Sequence, residues 1–227
     1  GGARPAVDIL FKDEDHFRNI EDMNEKLQSV TCGLFRSTGI SYYNQSIVAL
    51  TQLYKEYFKA GLNMPRIFDA TNSHPDAASN SDYPSLHKST EAYAMAIKEL
   101  KEEGFFKEGQ AVPIMPMFSI AFTGALTSGD TIYNSAFYKK LVDQIMDTAQ
   151  KNGLDPDEYM IDIKDMVGQA NVADMQEIVR IIKEDCGFTG LIHTHMHNPQ
   201  GNAAEVQAKS GADFVDAAFH TETEGIG

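Results

Sequence analysis

The chain has 227 residues, with 33 acidic against 19 basic side chains and a formal net charge of -14. That length holds one sizeable core, and α/β barrels commonly reach it as a single domain; the charge disfavours nucleic acid or an anionic membrane as a partner. Two cysteines, Cys32 and Cys186, lie in no CxxC arrangement, and no apolar run approaches the roughly 20 residues that span a bilayer. A disulfide framework and a membrane span are excluded, and a reducing, cytoplasmic setting is expected.

In chain order, short apolar runs alternate with amphipathic helical patterns. The expected strands are Val30 to Phe35, Pro65 to Asp69, part of Val112 to Thr123, Tyr159 to Lys164, Gly190 to His195 and Phe214 to Phe219. The first helix, from Ser46 to Ala60, carries Val48, Leu53, Tyr54, Tyr57 and Phe58 and stops at Gly61. After the polar stretch Ser73 to Lys88, read as a loop insertion, Ser89-Thr90-Glu91 offers an N-cap for a second helix with Ala94, Ile97 and Leu100. A third runs from Ser135 to Gly153 through Phe137, Leu141, Ile145 and Met146, and a fourth from Asn171 to Gly187 through Val172, Met175, Ile178, Val179 and Ile182. Such alternation implies a parallel sheet, closed or open. With no GxGxxG or GxxxxGK[ST] cradle, and with polar groups gathered at strand C-termini, the pattern favours a single-domain (β/α)8 TIM barrel over a nucleotide-binding fold.

Chemistry is concentrated in two of these strands. In LIHTHMHN, beginning at Leu191, His193 and His195 alternate at period two and so share a face, as two imidazole ligands of a divalent Zn, Mn or Co ion would. A surface histidine pair is the plain alternative. His197 keeps the spacing but runs into the turn-like Asn198-Pro199, which ranks it below the other two. In IDIKDMVG, Lys164 ends an apolar run, where an ammonium needs a partner or must lose its proton. A neutral amine there could take up carbon dioxide as a carbamate, an anionic oxygen ligand; a salt bridge to Asp69 or another acid is the competing explanation. Arg36 closes CGLFR and Asp69 closes RIFD. The arginine fork suits a small carboxylate substrate, and Asp69 could orient a ligand or water, or cap a helix. Cys186 reads as packing.

IKDMVG at Ile163 to Gly168, IHTH at Ile192 to His195, RIFDATN at Arg66 to Asn72, GADFVDAAF at Gly211 to Phe219 and the opening GGA with LFKDEDHFRNI together resemble the carboxyltransferase domain of biotin-dependent enzymes. That family includes pyruvate carboxylase, the oxaloacetate decarboxylase α subunit and the transcarboxylase 5S subunit. The resemblance runs through nearly the whole chain. It implies a metallolyase TIM barrel in which Lys164, carbamylated, binds a divalent metal with His193 and His195. Arg36 falls on the arginine that meets the keto-acid carboxylate. The implied reaction moves a carboxyl group between carboxybiotin and pyruvate or oxaloacetate through an enolate, with biotin on a separate carrier domain or subunit. A homo-oligomer, in the cytoplasm or the mitochondrial matrix, is also implied.

Departures from the family pattern limit what carries over. The first-strand RDAHQS aspartate ligand has no counterpart, only six of eight strands are recognisable, and the chain reads as a fragment lacking the first two. GLFRSTG replaces MLLRGQN and MHNPQG replaces the turn after the family's HTH, which leaves the acceptor open. A metal-dependent aldol or Claisen enzyme of the same superfamily competes, but those relatives lack the IKDM lysine. A non-catalytic barrel fragment is the other alternative.

Overall fold

The computed structural model describes residues 33–34, 46–70, 83–121, 134–164, 172–196 and 209–217. Arg36, His197 and most of the polar insertion lie outside them. Six parallel strands form one sheet in sequential order: β1 (Gly33–Leu34), β2 (Met64–Asp69), β3 (Met117–Ala121), β4 (Met160–Lys164), β5 (Leu191–Met196) and β6 (Phe214–Ala217). Between them run α1 (Ile47–Lys59), α2 (Pro84–Glu102), α3 (Ser135–Lys151) and α4 (Val172–Arg180). The order never reverses, so the sheet is singly wound, unlike a doubly wound nucleotide-binding sheet.

Alternation within the strands separates two layers. Ile161 and Ile163 of β4, with Phe118 and Ile120 of β3 and Ile192 of β5, join the helical core of Leu50, Tyr54 and Phe58 from α1, Leu86, Tyr93 and Leu100 from α2, Tyr138, Leu141 and Ile145 from α3, and Met175 and Ile178 from α4. Met64, Met117 and Met160 form a separate apolar cluster on the other face, at the N-terminal ends of their strands. Asp162 lies on that second face, two residues beyond Met160.

α1 and α3 start where side chains satisfy free N–H groups. Ser46 accepts from Ala49 N–H at 3.1 Å and Asn134 from Phe137 N–H at 3.0 Å. Two expectations need correction. The second helix begins at Pro84, not at Ser89: proline suits the first turn because its missing N–H has no intrahelical partner there, and Ser89 and Thr90 are buried within the helix. Thr90 Oγ1 instead donates to Leu86 O at 2.7 Å. In α1, Val48 is 74% exposed, because the stripe that meets the core runs through Leu50, Thr51, Tyr54, Lys55 and Phe58. Beyond α4 the chain widens into a π-helical turn, Ile181–Asp185, with Cys186 N–H donating to Ile181 O at 2.9 Å. Ile181 and Ile182 are both fully buried there.

Candidate functional site

A polar row crosses the second face of the sheet. The register pairs Asp69 with Ser119, Ser119 with Asp162, and Asp162 with His193, so one residue from each of β2, β3, β4 and β5 lies level with the next. The methionine cluster is the layer below. Ser119, Asp162 and His193 are completely buried and Asp69 is nearly so.

Asp162 is the hub. Its Oδ1 lies 2.8 Å from His193 Nδ1, and its Oδ2 accepts from Ser119 Oγ at 2.5 Å and from Arg66 Nη2 at 3.1 Å. Burial alone would push this carboxyl up. The hydrogen bond with His193, the Arg66 guanidinium and the Ser119 hydroxyl outweigh it and hold the carboxyl below its ordinary range. An ionised carboxylate only accepts, so Nδ1 is the ring nitrogen that carries a proton in this contact.

Asp69 shares this face with Arg66 because β2 is irregular. In a regular strand, residues three apart face opposite ways, yet Arg66 Nη1 lies 3.9 Å from Asp69 Oδ2. The register shifts between Arg66 and Phe68: Arg66 pairs with Met117 while Phe68 pairs with Phe118 and Asp69 with Ser119. Ile67 is the extra residue of this bulge, and it returns Asp69 to the face that Arg66 occupies.

The sequence-predicted residues divide by layer. His193 and Asp69 are in the buried polar row. Lys164 stands opposite Ala121, one step past Asp162 on the same face of β4, and His195 stands one step past His193, opposite Asp216 of β6. These positions form the rim above the row. Asp69 also lies beside Arg66, its Oδ2 3.9 Å from Nη1. Among the described residues, no three His, Cys, Asp or Glu side chains converge as a metal cage.

Sequence reasoning overlooked Arg66, Ser119 and Asp162. For Asp162 a signal was present: an acid inside an apolar strand, in phase with Lys164, meets the same objection to burial that singled out the lysine. Cys186 is packing, as expected: its Sγ lies 3.7 Å from Lys139 O, and burial, with Asp143 nearby, pushes the thiol up to about 12.

Whether these residues fit a divalent cation can be judged from the His193 ring. Its Nδ1 is held by a buried carboxylate, the usual support of a metal-ligating imidazole, and the lysine and second histidine positions fall on the same face one step higher. The donor set fits.

No family model matches the chain. Curated relatives do resemble it: the pyruvate carboxylase of Bacillus subtilis (strain 168) is 23% identical over 224 residues, which are 96% of this chain and 16% of that protein. The Aspergillus terreus pyruvate carboxylase is 25% identical over the same length and shares. The homologues of this chain are pyruvate carboxylases. The chain spans 16% of the length of these pyruvate carboxylases. Among solved structures, the carboxyl transferase domain of Rhizobium etli pyruvate carboxylase with pyruvate and biocytin is similar at a TM-score of 0.54 and 21% identity, over 87% of this chain and 29% of that one. The complete multifunctional pyruvate carboxylase of the same organism is similar at a TM-score of 0.54 and 23% identity, over 96% and 19%. The fold is therefore the α/β fold, with its parallel sheet, of the pyruvate carboxylase carboxyl transferase domain.

Proposed function

We propose that this chain is part of a carboxyltransferase domain in a longer biotin-dependent enzyme, a (β/α)8 barrel that moves a carboxyl group between carboxybiotin and pyruvate or oxaloacetate. The observation that carries the reading is the buried Asp162–His193 pair directly beneath the Lys164 and His195 positions, on a fold shared with pyruvate carboxylase. Lys164 as its carbamate, with His193 and His195, would hold a Zn, Mn or Co ion, which when bound supplies a Lewis acid for the keto group and so favours the enolate. Arg36 receives the keto-acid carboxylate in its guanidinium fork. Asp69, tied to Arg66, orients the substrate or a water beside it. The methionine layer of Met64, Met117 and Met160 closes the site from below, strengthening the electrostatics above it by excluding water. A biotin carrier domain, on the same polypeptide or on a partner, brings the carboxyl group to the strand tips, and the whole enzyme is a homo-oligomer.

One observation favours a variant of the ligand set. His193 is level with Ser119 and Asp162, a layer below Lys164. His197, two positions past His195 in the sequence, is then the competing second imidazole. Elemental mass spectrometry on the purified protein and its Lys164→Ala, His193→Ala, His195→Ala and His197→Ala variants tests both. Near-stoichiometric metal in the wild type, lost from the Lys164 and His195 variants, supports the proposal, and the other two variants assign the second imidazole. A metal-free wild type, or metal indifferent to Lys164 and His195, overturns it.

A further inference from the structure

We infer that Asp162 is a positioning residue for His193: clamped by Arg66 and Ser119, it keeps the imidazole proton on Nδ1 and leaves Nε2 as the lone-pair nitrogen toward a cation at the strand tips. The inference deepens the metal reading above and rests on it only for the identity of what Nε2 meets.

Three features make Asp162 a fixed acceptor. It is completely buried, so water cannot replace a lost partner. Its Oδ2 is engaged twice, by Ser119 Oγ at 2.5 Å and Arg66 Nη2 at 3.1 Å, which prevents the carboxylate from rotating away from the ring. Its backbone is paired directly with that of His193, so the 2.8 Å contact between Oδ1 and Nδ1 has little slack. The opposite tautomer would set a ring lone pair against a carboxylate oxygen with no donor between them. In that arrangement Nε2 would carry the proton and could not ligate.

Substituting the isosteric amide separates positioning from packing. In Asp162→Asn the side-chain oxygen stays with the two donors, Arg66 and Ser119, and the amide NH2 must face the ring. It donates to Nδ1 and moves the imidazole proton to Nε2 without changing the shape of the site.

The test combines two readouts at neutral pH. Long-range proton–nitrogen NMR on the metal-free protein, with the His193 signals assigned by their loss in His193→Gln, reads the tautomer. The proton is expected on Nδ1 in the wild type and on Nε2 in Asp162→Asn. Titration with Zn, Mn or Co reads affinity, expected to fall by about 10- to 100-fold in the asparagine variant, the usual effect of losing such a support. A wild-type His193 with its proton on Nε2 overturns the inference, and that spectrum decides even if the variant does not fold. Unchanged tautomer or unchanged affinity in a folded Asp162→Asn also overturns it. Failure of the wild type to bind any metal counts against the metal reading instead, while the wild-type tautomer still decides whether Asp162 orients the ring.

Discussion

Arg66 has only about a tenth of its side chain exposed and is ion-paired with two buried carboxylates, Asp162 and Asp69. Replacing it with methionine keeps most of the volume but leaves Asp162 buried with its charge compensated only by hydrogen bonds. Breaking one side of a buried pair in this way costs about 3–5 kcal/mol, and urea unfolding of Arg66→Met should show a loss in that range. Gly190 is constrained differently. A Cβ there would run into the Pro156 carbonyl oxygen and lie 2.5 Å from the Phe188 ring, just before β5 begins. Gly190→Ala is expected to lower stability by about 1–3 kcal/mol through overpacking, seen as a lower Tm. At this scale the sequence shows which residue types are costly to bury, as with Lys164, but not who answers them. Arg66 and Asp162 are 96 residues apart in the chain and meet only because β3 lies between β2 and β4.

Among the elements, Asp213 ties the start of β6 to β5. Asp213 accepts from Ile192 N–H at 3.0 Å and from Lys183 Nζ at 2.8 Å, while its own N–H donates to Ile192 O at 2.9 Å. Burial would push this carboxyl up, but the hydrogen bonds from Lys183 and Ile192 outweigh it and hold the group below its ordinary range. Asp213→Ala should therefore destabilise by about 1–2 kcal/mol near neutral pH, the worth of charge-assisted bonds to a partly exposed carboxylate. Because the folded carboxyl titrates lower than the unfolded one, its contribution is complete above the ordinary carboxylate range and fades as pH falls through the folded value. Denaturation curves of wild type and variant should converge on acidification; a constant gap down to strongly acidic pH would contradict the assignment. Element positions were largely legible: each expected strand has a counterpart, and Gly61, Gly153 and Gly187, all at positive φ, lie just beyond the helix ends. The start of α2 was not, because Ser89-Thr90-Glu91 imitates a cap and only the packing of Leu86 shows that the helix is already under way.

For the molecule as a whole, the charge of -14 has a physical consequence independent of the site. Acidic groups spread over a chain of this size repel one another in the compact state, and salt screens that repulsion. Raising sodium chloride from about 10 mM to 0.3 M, where the screening length drops well below 10 Å, should raise the Tm; a fall would mean that ion pairs such as Lys55 with Glu99 and Glu103 outweigh the net repulsion. The same scale carries the fold. No helix among the described residues is long and apolar enough to cross a membrane.

The period-two alternation of IDIK and LIHTH and the helical stripes between the strands were local properties, so the sequence by itself determined the six strands, their alternation with helices and the shared face of His193 and His195. The level at which residues meet across the sheet is not local. It depends on strand register, which placed Asp162 opposite His193 and Lys164 a step above, and on the bulge at Ile67, which turned Asp69 back toward Arg66. Packing decides both: a one-residue slip would exchange the isoleucines of β4 for Asp162 against the helices, and burial of an unpaired carboxylate there forbids it.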